Sequence, residues 1–393
     1  MKQWSGVMAW ARHCVAIARD LRAPGLMLDA DPDAITRCLH LPAVELNQAM
    51  FIPPEYTDRT YRVDGHPIPG GSCRSGVVVM DRLSYGDPGV LLAAPGPSLS
   101  GLAVNAVGDA EQRGRYFERF AKEPTWTFFA LTEHGKGSAA LELQTRLHQA
   151  GPEEYLLHGD KRYIGNGASA QIGVVFCRRA PGPFGIEAVL IDTAAPGFSG
   201  RRLPTVGLAG VRIGELAFRG VRVTPEMILG ADRKPSRRGV FGVRETMLRY
   251  RPLLTAMAVG VADAVVDYVR AQRKQMSTHD RTRLDELAGR VYLARARVRE
   301  VAAAVDAGQP DLPGTSSAKL TAVRLAEEAT LLAVELLGAT ALLEHPWLAK
   351  TYRDVRAFEF MDGVGDIHRL LVFQGLLRRA SVDWSGLSPG GSQ

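Results

Sequence analysis

The segment 132–138 (TEHGKGS) combines residue types that can hold an anionic or planar ligand. Gly135 and Gly137 carry no Cβ, so a flat ring or a phosphate can approach the backbone closely. Thr132 and Ser138 contribute hydroxyls, and neighbouring backbone N–H groups can donate to an anion. Taken by itself, the segment is equally compatible with an ordinary glycine-rich hairpin turn.

Other common chemical motifs are absent from the sequence. There is no GxGxxG after a strand, no Walker A loop and no HExxH motif. The nine histidines do not cluster at metal-ligand spacing, and the four cysteines form no CxxC pair. We therefore expect no Rossmann nicotinamide site, no P-loop, no metal centre and no disulfide framework.

The charge pattern favours a small anionic ligand over nucleic acid. The formal net charge is +6, and the basic residues are mostly arginines that are dispersed along the chain. A nucleotide cofactor or a phosphopantetheine carrier fits this balance. Arg12, Arg19 and Arg22 interrupt the N-terminal apolar pattern, and no uncharged apolar run reaches about 18 residues. These features predict a cytoplasmic protein without a membrane segment.

Three regions must position any site, and they differ in hydrophobic periodicity. Residues 1–125 predict a helical domain, and residues 126–235 contain short β-rich runs at 127–132, 171–177, 187–191 and 215–218. Residues 236–385 follow helical periods, including a 3.5-residue repeat from Leu284 to Val301. Residues 386–393 predict a flexible tail. The fold class is therefore α+β, with helices, a β domain and then a helical bundle.

Four segments, in chain order, resemble the acyl-CoA dehydrogenase family. Residues 129–138 are similar to its TEPGAGSD loop, and residues 159–167 (GDKRYIGNG) are similar to G.K.WITNG. Residues 196–230 track the end of its β domain, and residues 352–369 are similar to RDar…EGTseIqR. The resemblance covers about residues 80–380. It implies an antiparallel middle β domain, a C-terminal four-helix bundle, bound FAD and oxidoreductase activity on a CH–CH bond.

The resemblance also implies which residues meet the flavin ring. Phe129, Leu131 and Thr132 would lie on its pyrimidine side, and Gly137 and Ser138 would lie near the pyrophosphate.

Tyr163, Ile164 and Gly165 would form a second wall of the flavin site. Tyr163 stands where the family has Trp, and its rigid ring can still stack. Gly165 stands where the family has Thr, so only its backbone N–H could serve flavin N5.

A third group of residues would contact the pyrophosphate and adenine of FAD. Arg273 matches the arginine that the family places on FAD pyrophosphate across a subunit interface, which suits a planar guanidinium. A solvated arginine at a helix end is the alternative. Glu335 and Gly338 belong to a segment that replaces the family's Gln-x-x-Gly-Gly at the adenine. The role of Arg273 implies a homodimer or homotetramer.

Asp362 occupies the position of the family's catalytic glutamate. A carboxylate there would remove the α-proton of an acyl thioester while flavin N5 accepts hydride from the β-carbon. Asp is one methylene shorter than Glu, so the backbone or the substrate must sit differently. Arg251 matches a helix arginine beside the active site, and Tyr250 precedes it. Ser138, Tyr250, Arg251, Asp362 and Gly363 are the candidate substrate contacts, and a turn-capping role for Asp362 is the alternative.

The predicted function is FAD-dependent desaturation of a short thioester of CoA or acyl carrier protein. The arginine-rich composition suggests bacterial secondary metabolism, such as polyketide biosynthesis, with an electron-transfer acceptor. Two alternatives remain. One is an oxygen-reacting enzyme, because nitroalkane oxidases resemble this family and use Asp as the base. The other is a non-catalytic scaffold, which the altered motifs permit.

Overall fold

The structure is a computed structural model that describes residues 2–57, 61–68, 70–135 and 142–383. The N-terminal region is mainly helical and includes one two-stranded ribbon, β1 (Arg62–Val63) with β2 (His66–Pro67). Its helices are α1 (Lys2–Ala18), α2 (Arg22–Ala30), α3 (Pro42–Ala49), α4 (Cys73–Ser84), α5 (Pro88–Ala93), α6 (Ser98–Val107), α7 (Ala110–Phe117) and α8 (Arg119–Lys122).

A seven-stranded sheet follows the N-terminal helices. Its strands are β3 (Thr127–Ala130), β4 (Arg146–Gly151), β5 (Glu154–Ile164), β6 (Ile172–Arg178), β7 (Ile186–Asp192), β8 (Phe198–Arg202) and β9 (Gly214–Val223). The strand order is β3-β6-β4-β5-β9-β8, and β7 pairs with β6. All four predicted β-rich runs are strands, so that prediction is confirmed.

One feature of the sheet departs from the antiparallel expectation. The pairs β4–β5, β5–β9, β8–β9 and β6–β7 are antiparallel, but β3 pairs with β6 in parallel. A single bridge between Arg146 and Arg178 also joins β4 to β6 in parallel. The chain forms the hairpin of β4 and β5 after it leaves β3. It then returns as β6, which lies beside β3 and runs in the same direction. The sheet is therefore mixed.

The C-terminal region contains the predicted bundle. Its helices are α9 (Gly239–Gln272), α10 (Thr278–Asp306), α11 (Leu312–Leu337), α12 (Ala341–Glu344), α13 (Pro346–Asp354), α14 (Ala357–Phe360) and α15 (Gly365–Asp383). Helix α9 packs on α10 and α11, and α15 packs on α11. The 3.5-residue stripe from Leu284 to Val301 is buried against them, because that spacing keeps one face of α10 turned inward.

Helix α9 lies at the centre of the molecule. It packs on α4 and α6 of the N-terminal region as well as on the bundle. One stretch, Pro235–Gln272, is long and apolar enough to cross a membrane, but 83% of its most apolar window is buried inside the protein. It is thus the core helix around which the other regions assemble. Residues on α9 are placed to connect the N-terminal helices with the loop between α14 and α15.

Candidate active site

A cleft opens where α9 meets the N-terminal helices and the sheet. The N-terminal segment between α5 and α6 forms one wall, and Tyr250, Leu253 and Met257 of α9 form the opposite wall. Thr127 and Asn166 close it on the sheet side. Its remaining lining residues are Asn47, Gln48, Phe51, Met80, Leu91, Leu92, Ala94, Pro95, Gly96 and Ser98. The lining is about equally polar and apolar, and the cavity encloses only about 30 Å³, which is well below the volume of a typical ligand pocket.

Asp362 lies on the short loop between α14 and α15. Its backbone is left-handed, with φ of 55°, and Gly363 follows with φ of 94°. The side chain is 2% exposed, and its Oδ2 accepts a hydrogen bond from Arg251 Nε at 2.8 Å. The other oxygen, Oδ1, is buried and has no hydrogen-bond partner among the described residues. The carboxylate is therefore anchored by one oxygen and uncommitted at the other.

Opposing electrostatic effects act on this carboxylate. Burial raises the pKa of Asp362, and the charges of Arg251 and Lys319 lower it, with burial dominating. The pKa therefore lies above the ordinary aspartate value of 3.8. Arg251 keeps an ionised form accessible, because an unpaired buried carboxylate would take up a proton instead. A buried carboxylate with a raised pKa is a candidate proton acceptor.

The loop that carries Asp362 is held by two buried side chains. Lys319 of α11 donates to the carbonyl oxygens of Met361 and Gly363. His368 of α15 bonds the Asp362 carbonyl through Nε2 at 3.1 Å and Ser316 through Nδ1 at 3.1 Å. Three consecutive carbonyl groups around the carboxylate therefore have buried partners.

Glu359, one turn before the loop, has a different role. Its Oε1 accepts a hydrogen bond from the backbone N–H of Gly365 at 2.8 Å, at the start of α15. An acidic side chain at a helix N-terminus satisfies otherwise unpaired N–H groups. Glu359 is thus committed to capping.

Tyr250 and Arg251 are adjacent on α9 but point in different directions. Tyr250 lines the cleft, whereas Arg251 reaches the carboxylate, because neighbouring helix residues do not share a face. Asp362 is not among the residues that line the cleft. Burial, and to a smaller extent the charge of Asp362, raises the pKa of the Tyr250 hydroxyl. That hydroxyl stays protonated and is a hydrogen-bond donor beside the cleft.

The predicted flavin-ring residues come together at the ends of β3 and β5. The backbone N–H of Arg162 donates to the carbonyl of Thr132 at 2.9 Å, and Lys161 Nζ donates to the carbonyl of Leu131 at 3.0 Å. Tyr163 is 61% exposed, with φ of 62°. An exposed aromatic ring at this position can stack on a planar cofactor.

The other predicted residues of that wall differ in exposure. Ile164 is buried in the core, and Phe129 packs on Phe176 with ring centroids 4.9 Å apart. These two side chains support the wall from inside. A Cβ at Gly165 would meet only Val211, at 3.6 Å, so space is open there. Gly137 and Ser138 lie outside the described residues.

The residues predicted to contact the pyrophosphate and adenine of FAD lie at the junction of α9, α10 and α11. Arg273 donates to the carbonyl of Leu336 and pairs with Asp280 at 3.3 Å. Glu335, one residue before that carbonyl, forms a bidentate pair with Arg283 at 2.6 and 2.7 Å. Gly338 follows with φ of 97°. The guanidinium of Arg273 is 36% exposed and is already engaged by Leu336 and Asp280, and the carboxylate of Glu335 is engaged by Arg283.

Sequence reasoning missed a buried pair that shapes the ligand loop. Glu133 accepts hydrogen bonds from the backbone of Gln144 and Thr145 and from Lys161, at 2.6, 3.0 and 2.8 Å. It thereby joins both ends of the segment 133–145. Sequence reasoning also missed Lys319 and His368. The one available signal was Lys319 itself, since it lies in an otherwise apolar and small-residue stretch of α11.

Comparisons with known proteins agree with this architecture. The acyl-CoA dehydrogenase middle-domain model matches residues 128–221, and the C-terminal-domain model matches residues 237–377. Acryloyl-CoA reductase (NADH) of Anaerotignum propionicum is 29% identical, over 70% of this chain and 73% of the relative. Cyclohex-1-ene-1-carbonyl-CoA dehydrogenase of Geobacter metallireducens is 28% identical, over 90% and 97%. The crystal structure of the prolyl acyl carrier protein oxidase AnaB aligns with a TM-score of 0.80 and 21% identity, over 94% and 98%.

Proposed function

The chain belongs to the acyl-CoA dehydrogenase family of FAD-dependent oxidoreductases, and on that basis we propose that it desaturates a short acyl thioester with Asp362 as the base. The observation that carries the proposal is the buried Asp362 carboxylate, anchored by Arg251 at 2.8 Å and uncommitted at Oδ1. A carboxylate in that state can accept the α-proton of a thioester. Its raised pKa brings it closer to that of a useful base.

The neighbouring side chains have separate roles in this proposal. Arg251 orients the carboxylate and balances its charge. The Tyr250 hydroxyl makes no hydrogen bond within the described residues, so it can donate to a ligand oxygen. Such a donor stabilises the negative charge that develops on a thioester carbonyl. Leu253 and Met257 exclude water from the same wall of the cleft.

The chain's residues fit FAD in two groups. Thr132 and Tyr163 would hold the flavin ring, and Arg273 would hold the pyrophosphate, as the resemblance predicts. The bound flavin supplies the two-electron oxidant that accepts the β-hydrogen as hydride.

An exposed apolar face supports the proposed homodimer or homotetramer. Leu370, Phe373, Leu376 and Leu377 of α15 are each about half exposed, and their spacing places them on neighbouring helical positions. Leu331 of α11 is also half exposed. Contiguous exposed apolar residues of this kind mark interaction surfaces.

The acyl carrier and the electron acceptor are further parts of the proposal. CoA thioesters are named for both curated relatives, and the AnaB structure shows that the same fold serves a carrier-protein substrate. We favour a short acyl group on CoA or on a carrier protein, an electron-transfer protein as acceptor, and a role in bacterial secondary metabolism. The arginine-rich composition is the support for that last assignment.

The proposal is tested by anaerobic addition of short acyl thioesters to the purified holoenzyme. We expect the flavin absorption to bleach and to return only with an artificial acceptor. Asp362→Asn should lower the bleaching rate by about 10²–10⁴-fold, while Asp366→Asn, which changes an exposed carboxylate paired with Arg369, should have no effect. Rapid reoxidation by air would favour the oxygen-reacting alternative. Full activity of Asp362→Asn would reject Asp362 as the base.

A further inference from the structure

The carbonyl groups around the candidate base are held by side chains from two other helices. Lys319 bonds the carbonyls of Met361 and Gly363, and His368 bonds the carbonyl of Asp362 between them. Lys319 is 1% exposed and His368 is fully buried. A lysine this deep in a protein is uncommon, because burial disfavours the charged form. Its contacts are made to the loop backbone, so its position serves the loop.

The backbone of this loop is left-handed at two successive residues. Asp362 has φ of 55° and Gly363 has φ of 94°. Aspartate enters the left-handed region more readily than most residues, and glycine does so freely, so the bonds to the three carbonyls select this conformation among those open to the loop. The conformation directs the short carboxylate toward Arg251, which bonds it at 2.8 Å.

We propose that Lys319, with His368, is a positioning residue that holds the Asp362 loop in its left-handed conformation and so sets the reach of the base. This inference rests on the proposed function of Asp362. Lys319 acts on the backbone and touches neither substrate nor cofactor. His368 anchors the middle carbonyl and is itself oriented by Ser316.

The charges around Lys319 make its contribution dependent on pH. Burial lowers the pKa of Lys319 to about 8, with Arg251 of α9 adding to the decrease. Asp362 on the loop and Glu359 of α14 act in the opposite direction, and the buried imidazole of His368 faces it from α15. Below pH 8 the ammonium donates charge-assisted bonds to both carbonyls. Above pH 8 the neutral amine holds them less firmly, so the reaction should slow.

Lys319→Met is the first test, measured in the holoenzyme. Methionine retains an unbranched apolar stem but cannot donate a hydrogen bond. We expect kcat at pH 7 to fall at least about tenfold while KM changes little. The alkaline limb of wild-type kcat near pH 8 should disappear in the variant. Amide hydrogen exchange in residues 361–365 should also become faster.

Leu325→Ala is the matched control on the same helix. Leu325 is buried in the core of α11, so its truncation lowers the melting temperature by leaving a cavity. The control should keep the wild-type rate, the alkaline limb and the slow exchange of the loop. A Lys319→Met protein that behaves like Leu325→Ala in all three measurements would overturn the positioning role.

A second pair of variants covers the case in which Lys319→Met does not fold. His368→Leu removes the bond to the Asp362 carbonyl, whereas His368→Gln retains an N–H donor. Loss of rate in the first and recovery in the second would support the inference, and equal rates would contradict it. Asp362→Asn is measured in parallel. If that variant is active, the proposed function fails; if it is inactive while the Lys319 and His368 variants are normal, only this inference fails.

Discussion

Arg251 Nε lies 2.8 Å from Asp362 Oδ2, while Oδ1 of the same carboxylate is buried without a hydrogen-bond partner among the described residues. The pair joins the central helix α9 to the loop between α14 and α15. Burying a carboxylate without a partner for each lone pair costs free energy, so a ligand atom at Oδ1 would relieve that cost. The geometry therefore distinguishes an anchored oxygen from one that is free to bind a ligand atom.

Arg251→Gln should shift the acid limb of kcat/KM to higher pH. Arg251 lowers the pKa of Asp362 against the effect of burial, and the base acts in its ionised form. Removing the arginine raises that pKa further, so activity is lost at a higher pH as the solution is acidified. The check is a pH profile of kcat/KM. Arg290→Gln, which removes a surface pair with Glu328, should leave the limb in place, and an unmoved limb in Arg251→Gln would refute the coupling.

Tyr250→Phe should lower activity with little change in stability. Its hydroxyl makes no hydrogen bond within the described residues, so its loss should change the free energy of unfolding by less than about 0.5 kcal/mol. Loss of a donor to the reacting carbonyl should lower kcat/KM by about 10–100-fold. Tyr116→Phe is the opposite case, because the Tyr116 hydroxyl lies 2.7 Å from the Ser100 hydroxyl in the core. Tyr116→Phe should lower the free energy of unfolding by about 1 kcal/mol and leave kcat/KM unchanged. If Tyr250→Phe instead lowered stability and left kcat/KM unchanged, Tyr250 would have no role in the site.

His368 should make the protein less stable as the solution is acidified. Burial lowers the pKa of His368 from 6.5 to about 3, with the charges of Lys319 and Arg251 adding to the decrease. Between these values the unfolded chain binds the proton and the folded chain does not. Stability therefore rises with pH across this window and is lost progressively as pH falls from 6.5 toward 3. The melting temperature of His368→Gln should depend less on pH than that of the wild-type protein. If the two proteins showed the same pH dependence, His368 would not be a buried neutral imidazole.

Glu133→Gln should weaken FAD binding by loosening the segment 133–145. Lys161 and the backbone hydrogen bonds of Gln144 and Thr145 hold the pKa of Glu133 below its usual range despite the effect of burial. The amide substitute turns one acceptor into a donor facing a donor, which should cost about 1–3 kcal/mol. Flavin fluorescence titration should give an FAD dissociation constant raised by about tenfold or more. Glu154→Gln, a change in a surface pair with Arg222, is the control, and equal FAD affinities would reject the bracing role.

Much of the architecture was accessible from local sequence patterns. The four β-rich runs became β3, β6, β7 and β9, and the 3.5-residue stripe became the buried face of α10. Side-chain periodicity reports which face of an element is buried, and it does so without knowledge of the partner. The parallel pairing of β3 with β6 was missed because strand neighbours depend on the path of the chain between them.

The candidate site was predictable in part. The last of the four family-like segments named Asp362, and a separate match on the preceding helix named Tyr250 and Arg251. The structure brings Arg251 and Asp362 into contact across 111 positions of sequence. The resemblance also named Thr132 and Tyr163, which meet at the ends of β3 and β5. The individual roles of these residues stay predictions until the variants described above are measured.

By itself, the sequence determined the family and the order of the three regions, and it named Asp362 as the candidate base, because these depend on residue types and short-range spacing. The tertiary structure alone decided that one oxygen of Asp362 is anchored and the other free, and that Lys319 and His368 hold its backbone. These relations join α9, α11, α15 and a left-handed loop that are remote in sequence. Their distances follow from how the helices pack. Burial in that packing raises the pKa of Asp362 and lowers the pKa values of Lys319 and His368 beside it.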